Sequence, residues 1–417
     1  MTDSATPTQL SRPLAVTLAL AGFLAASHAM GPAEGVTLDE LNAKVEALAS
    51  TLQPPAASRP RATLGGYGEL HYNNFAGKKD NGSRGETDMI DLHRMVLFVG
   101  YRFNDALAFH SEVEVEHAIS SSDPEDPGEV EVEQAYVDWA INRHFGVKGG
   151  LFLVPVGILN RTHEPPTFYG VERNLVETRI IPSTWREAGL GAFGEIVEGL
   201  AYQVNVHSGF RLEPGTDARS GMHDLHQEAA EADAERLAVS ASLDYSGIPW
   251  LSTGIGLFYQ DDLTQGAGAK VSALLSEVHA QVNARGFEGR ALYARWDVDG
   301  ADDFFAMEVP DDQGNLVHGQ IAKGQYGYLL EGAYRFGHLF LPDGQDIGAF
   351  VRYESLDTND SLPPGVAHDG SLDQEAWTTG LNYWPTDQVV VKIDYQNVND
   401  AAGTGQDSWN LGIGWWF

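Results

Sequence analysis

The chain ends in Trp409–Phe417, W-N-L-G-I-G-W-W-F, and this stretch decides the fold class. Apolar or aromatic residues occupy every second position from Trp409 to Phe417, and Asn410, Gly412 and Gly414 lie between them. Since successive side chains of a strand point to opposite sides, one face of this strand is wholly apolar. Membrane barrels are apolar outside and polar inside, so the pattern favours the last strand of a barrel in lipid. The alternative is the last strand of a soluble sandwich.

The beginning of the chain has the pattern of an export signal. Arg12 precedes an apolar run from Leu14 to Ala26, and Ser27-His28-Ala29 supplies small residues before a cleavage point. We therefore predict a signal peptide over residues 1–29. The run is shorter than the roughly 18 apolar residues that a membrane helix requires, and no later stretch reaches that length.

Composition excludes several classes of protein. The 417 residues include no Cys, which rules out disulfides and thiolate metal sites. The formal net charge of -33 argues against nucleic-acid binding, because that function needs clustered Lys and Arg. Only 20% of the residues are charged, so the chain is not an acidic disordered tail. We expect no cofactor.

A short helix is predicted between the signal and the rest of the chain. Its apolar residues recur at alternating spacings of three and four: Leu38, Leu41, Val45, Leu48 and Leu52. This seam predicts a coiled-coil helix over residues 36–53 that forms when chains associate. A single amphipathic helix against another surface is the alternative. Pro54, Pro55 and Pro60 then indicate a stiff linker over 54–61.

From residue 62 to the end, apolar and polar residues alternate with period two. In Val389–Gln396, for example, Val389, Val391, Ile393 and Tyr395 alternate with Val390, Lys392, Asp394 and Gln396. The polar face carries charge in strand after strand, as a water-filled lumen would. Connections alternate between tight turns, at 104–105 and 142–143, and longer polar stretches. The longer ones, at 77–86, 120–128, 211–234, 310–323 and 358–373, are predicted to be external loops.

These features predict an all-β fold: a transmembrane antiparallel β-barrel over residues 62–417. Roughly 355 residues, at about 22 for each strand with its connection, give about 16 strands, an even number as closed single-chain barrels have. Closure is required because an open edge in lipid would leave backbone groups without hydrogen bonds. The strand that begins at Leu64 should therefore pair with the terminal strand.

The alternation is lost for about 30 residues between Gly149 and Glu187, and so long an irregular segment in a regular barrel is usually functional. Here the chain resembles the phosphate-selective porin superfamily of Gram-negative outer membranes. The resemblance includes the leader and short N-terminal segment, and these pieces: Leu92-His93-Arg94, Gln134-Ala135-Tyr136-Val137, Pro155-Val156-Gly157-Ile158 with Glu172-Arg173 after it, and the terminal aromatic residue. It implies a 16-stranded homotrimer whose third external loop, about 158–187 here, folds into the lumen.

Charged rings at a narrow point set the ion selectivity of a channel. On the resemblance, the residues predicted to form the constriction are Arg161, His163, Glu164, Tyr169, Glu172, Arg173, Glu177 and Arg179. The alternative is that these are ordinary solvated loop charges that pair locally and have little energetic consequence.

A row of carboxylates departs from the pattern of a phosphate channel. His110, Glu112, Glu114 and Glu116 fall on the inward face of one strand, about 6.8 Å apart. Glu129, Glu131 and Glu133 extend the row, but their phase conflicts with an outward Val137 and Trp139, so a bulge or loop must intervene. A carboxylate-lined lumen attracts cations, although an ordinary hydrated wall is the alternative. The residues predicted to line the pore are Arg94, Arg102, Glu112, Glu114 and Glu116.

The sequence thus predicts an outer-membrane porin, embedded in lipid, for passive diffusion of small hydrophilic solutes or ions, general or weakly cation-preferring. The alternatives are an anion- or phosphate-selective channel and a non-conducting barrel that acts as an adhesin or hydrolase. We predict no catalytic residue, since Gly-x-Ser-x-Gly is absent, and hence no enzyme. We also predict no metal site, because the histidine clusters lack ligand spacing.

Overall fold

A computed structural model describes residues 61–119, 128–310 and 313–417 of the protein. The predicted signal peptide, the predicted helix over 36–53 and all but the last residue of the predicted linker lie outside these residues. Within them, no helix has the length and apolar character needed to cross a bilayer.

Strands make up nearly all the regular structure of the described part. In chain order they are β1 Ala62–Phe75, β2 Met89–Arg102, β3 Leu107–Glu116, β4 Val130–Asn142, β5 Phe145–Leu153, β6 Arg186–Val197, β7 Leu200–His207, β8 Ala238–Ile248, β9 Leu251–Gln260, β10 Ser272–Ala284, β11 Phe287–Asp299, β12 Glu308–Pro310, β13 Leu316–His318, β14 Gly324–Arg335, β15 Asp346–Ser361, β16 Asp373–Thr386, β17 Val389–Asp400 and β18 Ser408–Trp416. The one α-helix among these residues is α1, Ala301–Ala306. Short 3-10 turns lie at Leu159–Arg161, Pro165–Thr167, His223–Leu225, Gly337–Leu339 and Gly370–Leu372, with a π turn at Val176–Ile180.

Sixteen of these strands form a closed antiparallel barrel, and β12 and β13 form a separate two-stranded sheet. Closure joins β1 to β18, with Tyr67 opposite Trp416 and Phe75 opposite Ser408. The backbone N–H of Phe417 continues this ladder by donating to the carbonyl of Gly66 at 2.9 Å. The predicted strand number and the predicted pairing of the first and last strands are confirmed.

The period-two pattern assigns the two faces as expected. In β18, Trp409 and Leu411 are 56% and 46% exposed on the outer surface, whereas Asn410 is 1% exposed inside. In β17, Val391 and Ile393 are likewise exposed, and the alternating Lys392 and Asp394 are buried inside the barrel.

A β-bulge in β4 resolves the conflict of phase that the sequence indicated. Glu112 pairs with Gln134, but the next residue of β3, Val113, pairs with Val132, so Glu133 is the extra residue. Bulges locally disrupt the ladder and re-aim side chains. As a result Glu133 is fully buried inside the barrel, while Val132 and Val137 on either side are exposed outside.

The interior differs from a uniformly wet lumen, because part of its wall is apolar. We call the inward faces of β9–β11 and β14 the apolar wall; its large buried members are Phe258, Leu275, Leu292, Trp296 and Leu329. Near the C-terminal end of β11 the apolar side chains face the interior and the charged ones face outward. There Trp296 is buried, and Arg295 and Asp297 on either side of it are more exposed. The physical reason lies in the segments that pack against this wall from inside.

The connections alternate in length as predicted, with one exception. Turns of two residues join β4 to β5 and β6 to β7, whereas 154–185 and 208–237 are long connections. The exception is 336–345, a ten-residue connection at the end of the barrel where the short turns lie.

Candidate pore constriction

The long irregular segment runs over residues 154–185, and we call it the constriction loop after the role that the sequence predicts for it. Its two ends are closed by a hydrogen bond from the N–H of Val154 to the carbonyl of Trp185, 2.9 Å. Asn160 reinforces this closure: its Nδ2 donates to the Val154 carbonyl at 2.7 Å, and its Oδ1 accepts from the N–H of Trp185 at 2.6 Å. Arg186, predicted to belong to the loop, is the first residue of β6.

Aromatic packing fixes one side of the constriction loop to the apolar wall. Trp185 stacks on Phe210 with ring centroids 5.0 Å apart and contacts Phe258 at 4.8 Å. Trp296 faces the same cluster, and its Nε1 donates to the carbonyl of Ile180 at 2.7 Å. Burial of large aromatic side chains supplies most of the energy of such a contact, and the indole hydrogen bond fixes its geometry.

Glu177 organises the loop from within and does not line an open path. Its Oε1 accepts from the N–H groups of Ile158 and Leu159 at 2.5 and 2.7 Å, and its Oε2 accepts from Nδ2 of Asn174 at 2.8 Å. Burial raises the pKa of Glu177, an effect that these donors partly offset. Gly157 must be glycine here, since its φ is +80° and a Cβ would lie 2.7 Å from Oε1 of Glu177.

Polar contacts fix the other side of the loop to what we call the polar wall, the inward faces of β1–β4, β17 and β18. The N–H of Val171 donates to Oδ2 of Asp394 at 2.6 Å, and Nζ of Lys392 donates to the carbonyl of Gly170 at 2.8 Å. The terminal strand approaches closely because it offers glycine: a Cβ at Gly414 would lie 2.3 Å from Cβ of Pro165. The small inward residues of the last strand thus make room for the loop.

Glu172 joins the loop to β1. It accepts from Nδ2 of Asn73 at 2.9 Å and lies 3.1 Å from Nδ1 of His71. Burial would raise the pKa of Glu172, but the hydrogen bonds with His71 and Asn73 outweigh it and lower the pKa to about 2. The carboxylate is therefore ionised at neutral pH.

The other predicted constriction residues have different surroundings. Arg161 forms a bidentate ion pair with Asp244 of β8, in which both hydrogen bonds are 2.8 Å long. Tyr169 is buried against Phe350 and Trp384. These two residues therefore anchor the loop. Burial raises the pKa of Glu164 and holds the pKa of His163 well below its usual range.

Arg173 and Arg179 are the loop cations with least pairing in the described chain. Nη1 of Arg173 donates to Oγ of Ser183 at 2.5 Å, whereas its Nε and Nη2 have no hydrogen-bond partner among the described residues. Arg179 is exposed and borders an open cavity of about 400 Å³, together with Leu175 and Thr358.

The predicted carboxylate row faces inward, and two of its members, Glu114 and Glu116, are paired. Arg94 lies between them and Glu69 of β1: Nε is 3.0 Å from Glu69 and Nη1 is 3.2 Å from Glu114, with Glu116 at 3.8 Å. Arg102 is not part of this cluster, because it lies at the opposite end of β2 and pairs in register with Ala108. Sequence reasoning missed Glu69, although the alternation in β1 is a signal that could have found it.

Carboxylates neutralise most of the inward arginines, Arg94 included. Each of the following has at least one Asp or Glu oxygen within 4.0 Å: Arg94, Arg161, Arg186, Arg290, Arg335 and Arg352. A guanidinium group that is already paired attracts a passing anion weakly. The interior therefore presents few uncompensated positive charges among the described residues.

Comparison with known proteins adds three findings. The sequence model of a family described as phosphate-selective porin O and P matches residues 63–408. An uncharacterized protein of Aquifex aeolicus (strain VF5) is 31% identical over 369 residues, which are 87% of this chain and 83% of that protein.

Solved structures share the fold at low sequence identity. The anion-selective porin from Comamonas acidovorans is 13% identical with a TM-score of 0.55, over 85% of this chain and 99% of that one. The outer membrane channel DcaP of Acinetobacter baumannii is 13% identical with a TM-score of 0.54, over 85% and 97%. OmpT of Vibrio cholerae, in its trimer form, is 12% identical with a TM-score of 0.51, over 85% and 99%.

Proposed function

The chain belongs to the phosphate-selective porin O and P family, and we propose from this premise that it forms a general or weakly cation-preferring diffusion pore. Membership of this family supports a channel of the Gram-negative outer membrane, and no enzymatic activity is proposed. The proposed solutes are small and hydrophilic, and lipid is its proposed surrounding. In the proposed mechanism the lumen replaces lipid with water, and the constriction loop limits the size and charge of what passes.

The observation that carries this proposal is the constriction loop between two walls. Its contacts with Asp244 of β8, Asp394 of β17 and Asn73 of β1 extend across the barrel, so a solute must pass beside it. Cation preference is favoured by the buried carboxylates of β3 and β4, by a net charge of -33, and by the paired inward arginines. Negative charge at a narrow point favours cations.

The first experiment measures single-channel current of the purified protein in a planar bilayer under a salt gradient. We expect the sign of the reversal potential to show that cations pass more readily than anions. Deletion of residues 162–184 should raise the conductance about two-fold or more, because the narrow segment is removed. Unchanged conductance would contradict the constriction role, and no current from correctly folded protein would favour the adhesin or hydrolase alternatives.

A charge variant tests selectivity by itself. Replacing Glu112, Glu114 and Glu116 by Gln should shift the reversal potential toward that of a non-selective pore. A matched variant, Asp297→Asn on the outer face, removes an exposed charge and should leave the reversal potential as it was. If both variants behave like the parent protein, the carboxylate row is an ordinary hydrated wall.

An anion-selective pore is a second candidate, and Arg173 is the observation that favours it. Two of its guanidinium nitrogens have no hydrogen-bond partner in the described part of the chain. If the parent protein prefers anions and Arg173→Gln abolishes that preference, this second function replaces the first.

A homotrimer is also proposed, on the resemblance and on the predicted coiled-coil seam. If an applied voltage closes the channels in three equal conductance steps per inserted particle, the homotrimer is supported. A molecular mass of one chain in light scattering, after subtraction of detergent, would contradict it.

A further inference from the structure

Three buried side chains meet between the constriction loop and the polar wall: Glu112 of β3, Glu133 at the bulge of β4, and His163 of the loop. One potential ligand atom from each lies within 4.8 Å of those of the other two. Glu133 is fully buried, His163 is 3% exposed and Glu112 is 6% exposed. The cluster thus combines residues that are far apart in sequence in one small, nearly dry space.

The polar atoms of this cluster lack hydrogen bonds. Both ring nitrogens of His163, both carboxylate oxygens of Glu133 and Oε2 of Glu112 have no partner of normal geometry among the described residues. Each such buried atom carries a free-energy cost, because it has lost its hydrogen bonds to water without replacing them. A group that interacts with all three side chains at once would remove several of these costs together.

We propose that Glu112, Glu133 and His163 form a binding site for a divalent transition-metal ion of the zinc type. Two carboxylate oxygens and one imidazole nitrogen are a donor set that zinc accepts, with water in the fourth position. Calcium and magnesium prefer oxygen ligands alone, so His163 favours the softer ion. Bonds to zinc are about 2.0–2.2 Å long, so the three side chains must close in through small rotamer changes.

The surrounding charges favour a cation. Glu114 lies beside Glu133, and Glu69 and Glu114 flank Arg94. Arg94 and Arg173 both lie within electrostatic range of His163. Four carboxylates are therefore opposed by two guanidinium groups. The negative charges outnumber the positive ones, so the surroundings favour a bound cation.

The position of His163 suits a metal ligand. Its ring is 3% exposed, and neither ring nitrogen has a hydrogen-bond partner of normal geometry among the described residues. The backbone carbonyl of Asn160 lies near the ring and is suited to orient it. Metal-binding histidines commonly donate their second ring N–H to such a carbonyl.

A bound ion would join the loop to the wall, because His163 belongs to the loop and the two carboxylates belong to strands. The ion would also add positive charge at the constriction, and this consequence rests on the proposed function. Metal binding itself does not depend on whether the barrel conducts.

A second histidine cluster in the barrel provides a control. Nδ1 of His93 and Nδ1 of His117 lie 3.0 and 2.8 Å from the same oxygen, Oδ2 of Asp91. These groups already satisfy one another, so we expect them to gain less from an ion. Replacing His117 removes a partly exposed histidine that is not one of the three proposed ligands.

The test is a titration of the full-length, EDTA-treated protein in detergent with Co²⁺, whose bound form has visible absorption bands. We expect one Co²⁺ per chain, displaced by Zn²⁺. His163→Gln and Glu133→Gln should each weaken Co²⁺ binding at least ten-fold, whereas His117→Gln should bind as the parent does. Heat-modifiable mobility in gels checks that each variant has folded.

The outcomes separate the alternatives. Absence of Co²⁺ binding by the folded parent overturns the proposal. Parent-like binding by folded His163→Gln also overturns it, and loss of binding in His117→Gln assigns the ion to the other cluster. If the protein binds Co²⁺ as expected but carries no current, the metal site stands and the proposed pore function fails.

Discussion

The apolar wall and the polar wall hold opposite sides of the same loop, and they do so by different physics. On the apolar wall, Trp296 and Phe258 bury large aromatic surfaces against Trp185, which is a non-directional and strong contact. On the polar wall, Asp394 and Lys392 bond to the loop backbone at Val171 and Gly170, contacts that are directional and individually weaker. The apolar wall therefore stabilises the loop mainly by burial, whereas the polar wall places charged groups against the loop.

The largest expected effect comes from breaking the apolar contact. Trp296→Ala should lower the free energy of unfolding by about 3–5 kcal/mol, since it leaves a cavity and removes the hydrogen bond to Ile180. Urea unfolding followed by tryptophan fluorescence measures the change. Trp377→Ala is the matched control, because Trp377 is 51% exposed on the outer face. An equal loss of unfolding free energy in both variants would show that burial against the apolar wall adds no more stability than an exposed tryptophan does.

The second-largest effect is expected from adding a side chain at Gly414, where the terminal strand lies against the loop. Gly414→Val should cost about 1–3 kcal/mol through overpacking against Pro165, and it should change the conductance because the loop must move. Conductance and urea unfolding are measured together. Gly332→Val is the control, since nothing lies within 4 Å of a Cβ at that position. Parent-like conductance of Gly414→Val would mean that the contact does not position the loop.

A smaller effect concerns the link between Glu172 and β1. The lowered pKa of about 2, against an ordinary value of 4.5, means that the link stabilises the loop above about pH 4.5 and loses its effect as pH falls through about 2. Glu172→Gln should cost about 1 kcal/mol at neutral pH, a value reduced by partial exposure. It should also flatten the dependence of stability on pH in that window. The same pH profile in parent and variant would contradict this assignment.

The smallest effect is expected on the outer face, away from both walls. Arg295 pairs with Asp297 and Asp360 there, at 3.1 and 3.0 Å, and all three side chains are about a third exposed or more. Arg295→Gln should change the free energy of unfolding by less than about 1 kcal/mol and leave the conductance unchanged. A large change in either quantity would show that the outer surface also controls the loop.

The alternation of the sequence was sufficient to predict the barrel and even its irregularity. The conflict between Glu133 and the outward Val137 predicted a bulge or a loop, and the register of β4 contains a bulge at that residue. The row Glu112–Glu114–Glu116 was placed correctly on the inward face for the same reason, because side-chain direction in a strand is a local property.

The surroundings of the candidate site could not be predicted in this way. Tyr169 and Glu177 were expected beside the path, yet both are buried as anchors of the loop. The apolar wall was also missed, although Leu292, Ala294, Trp296 and Val298 alternate with more polar residues in β11. Local periodicity gives two faces, but it does not say that a loop covers the inner one.

The sequence by itself determined a closed, acidic, sixteen-stranded barrel, because the period of two and the need to satisfy backbone groups in lipid act on each strand alone. Only the tertiary structure decided which charges meet. Arg352 donates to the carbonyl of Glu172, 180 residues away in the chain, and Glu112, Glu133 and His163 converge from two strands and a loop. Such contacts depend on the course of the loop through the lumen, which is set by burial against the apolar wall and not by any local pattern.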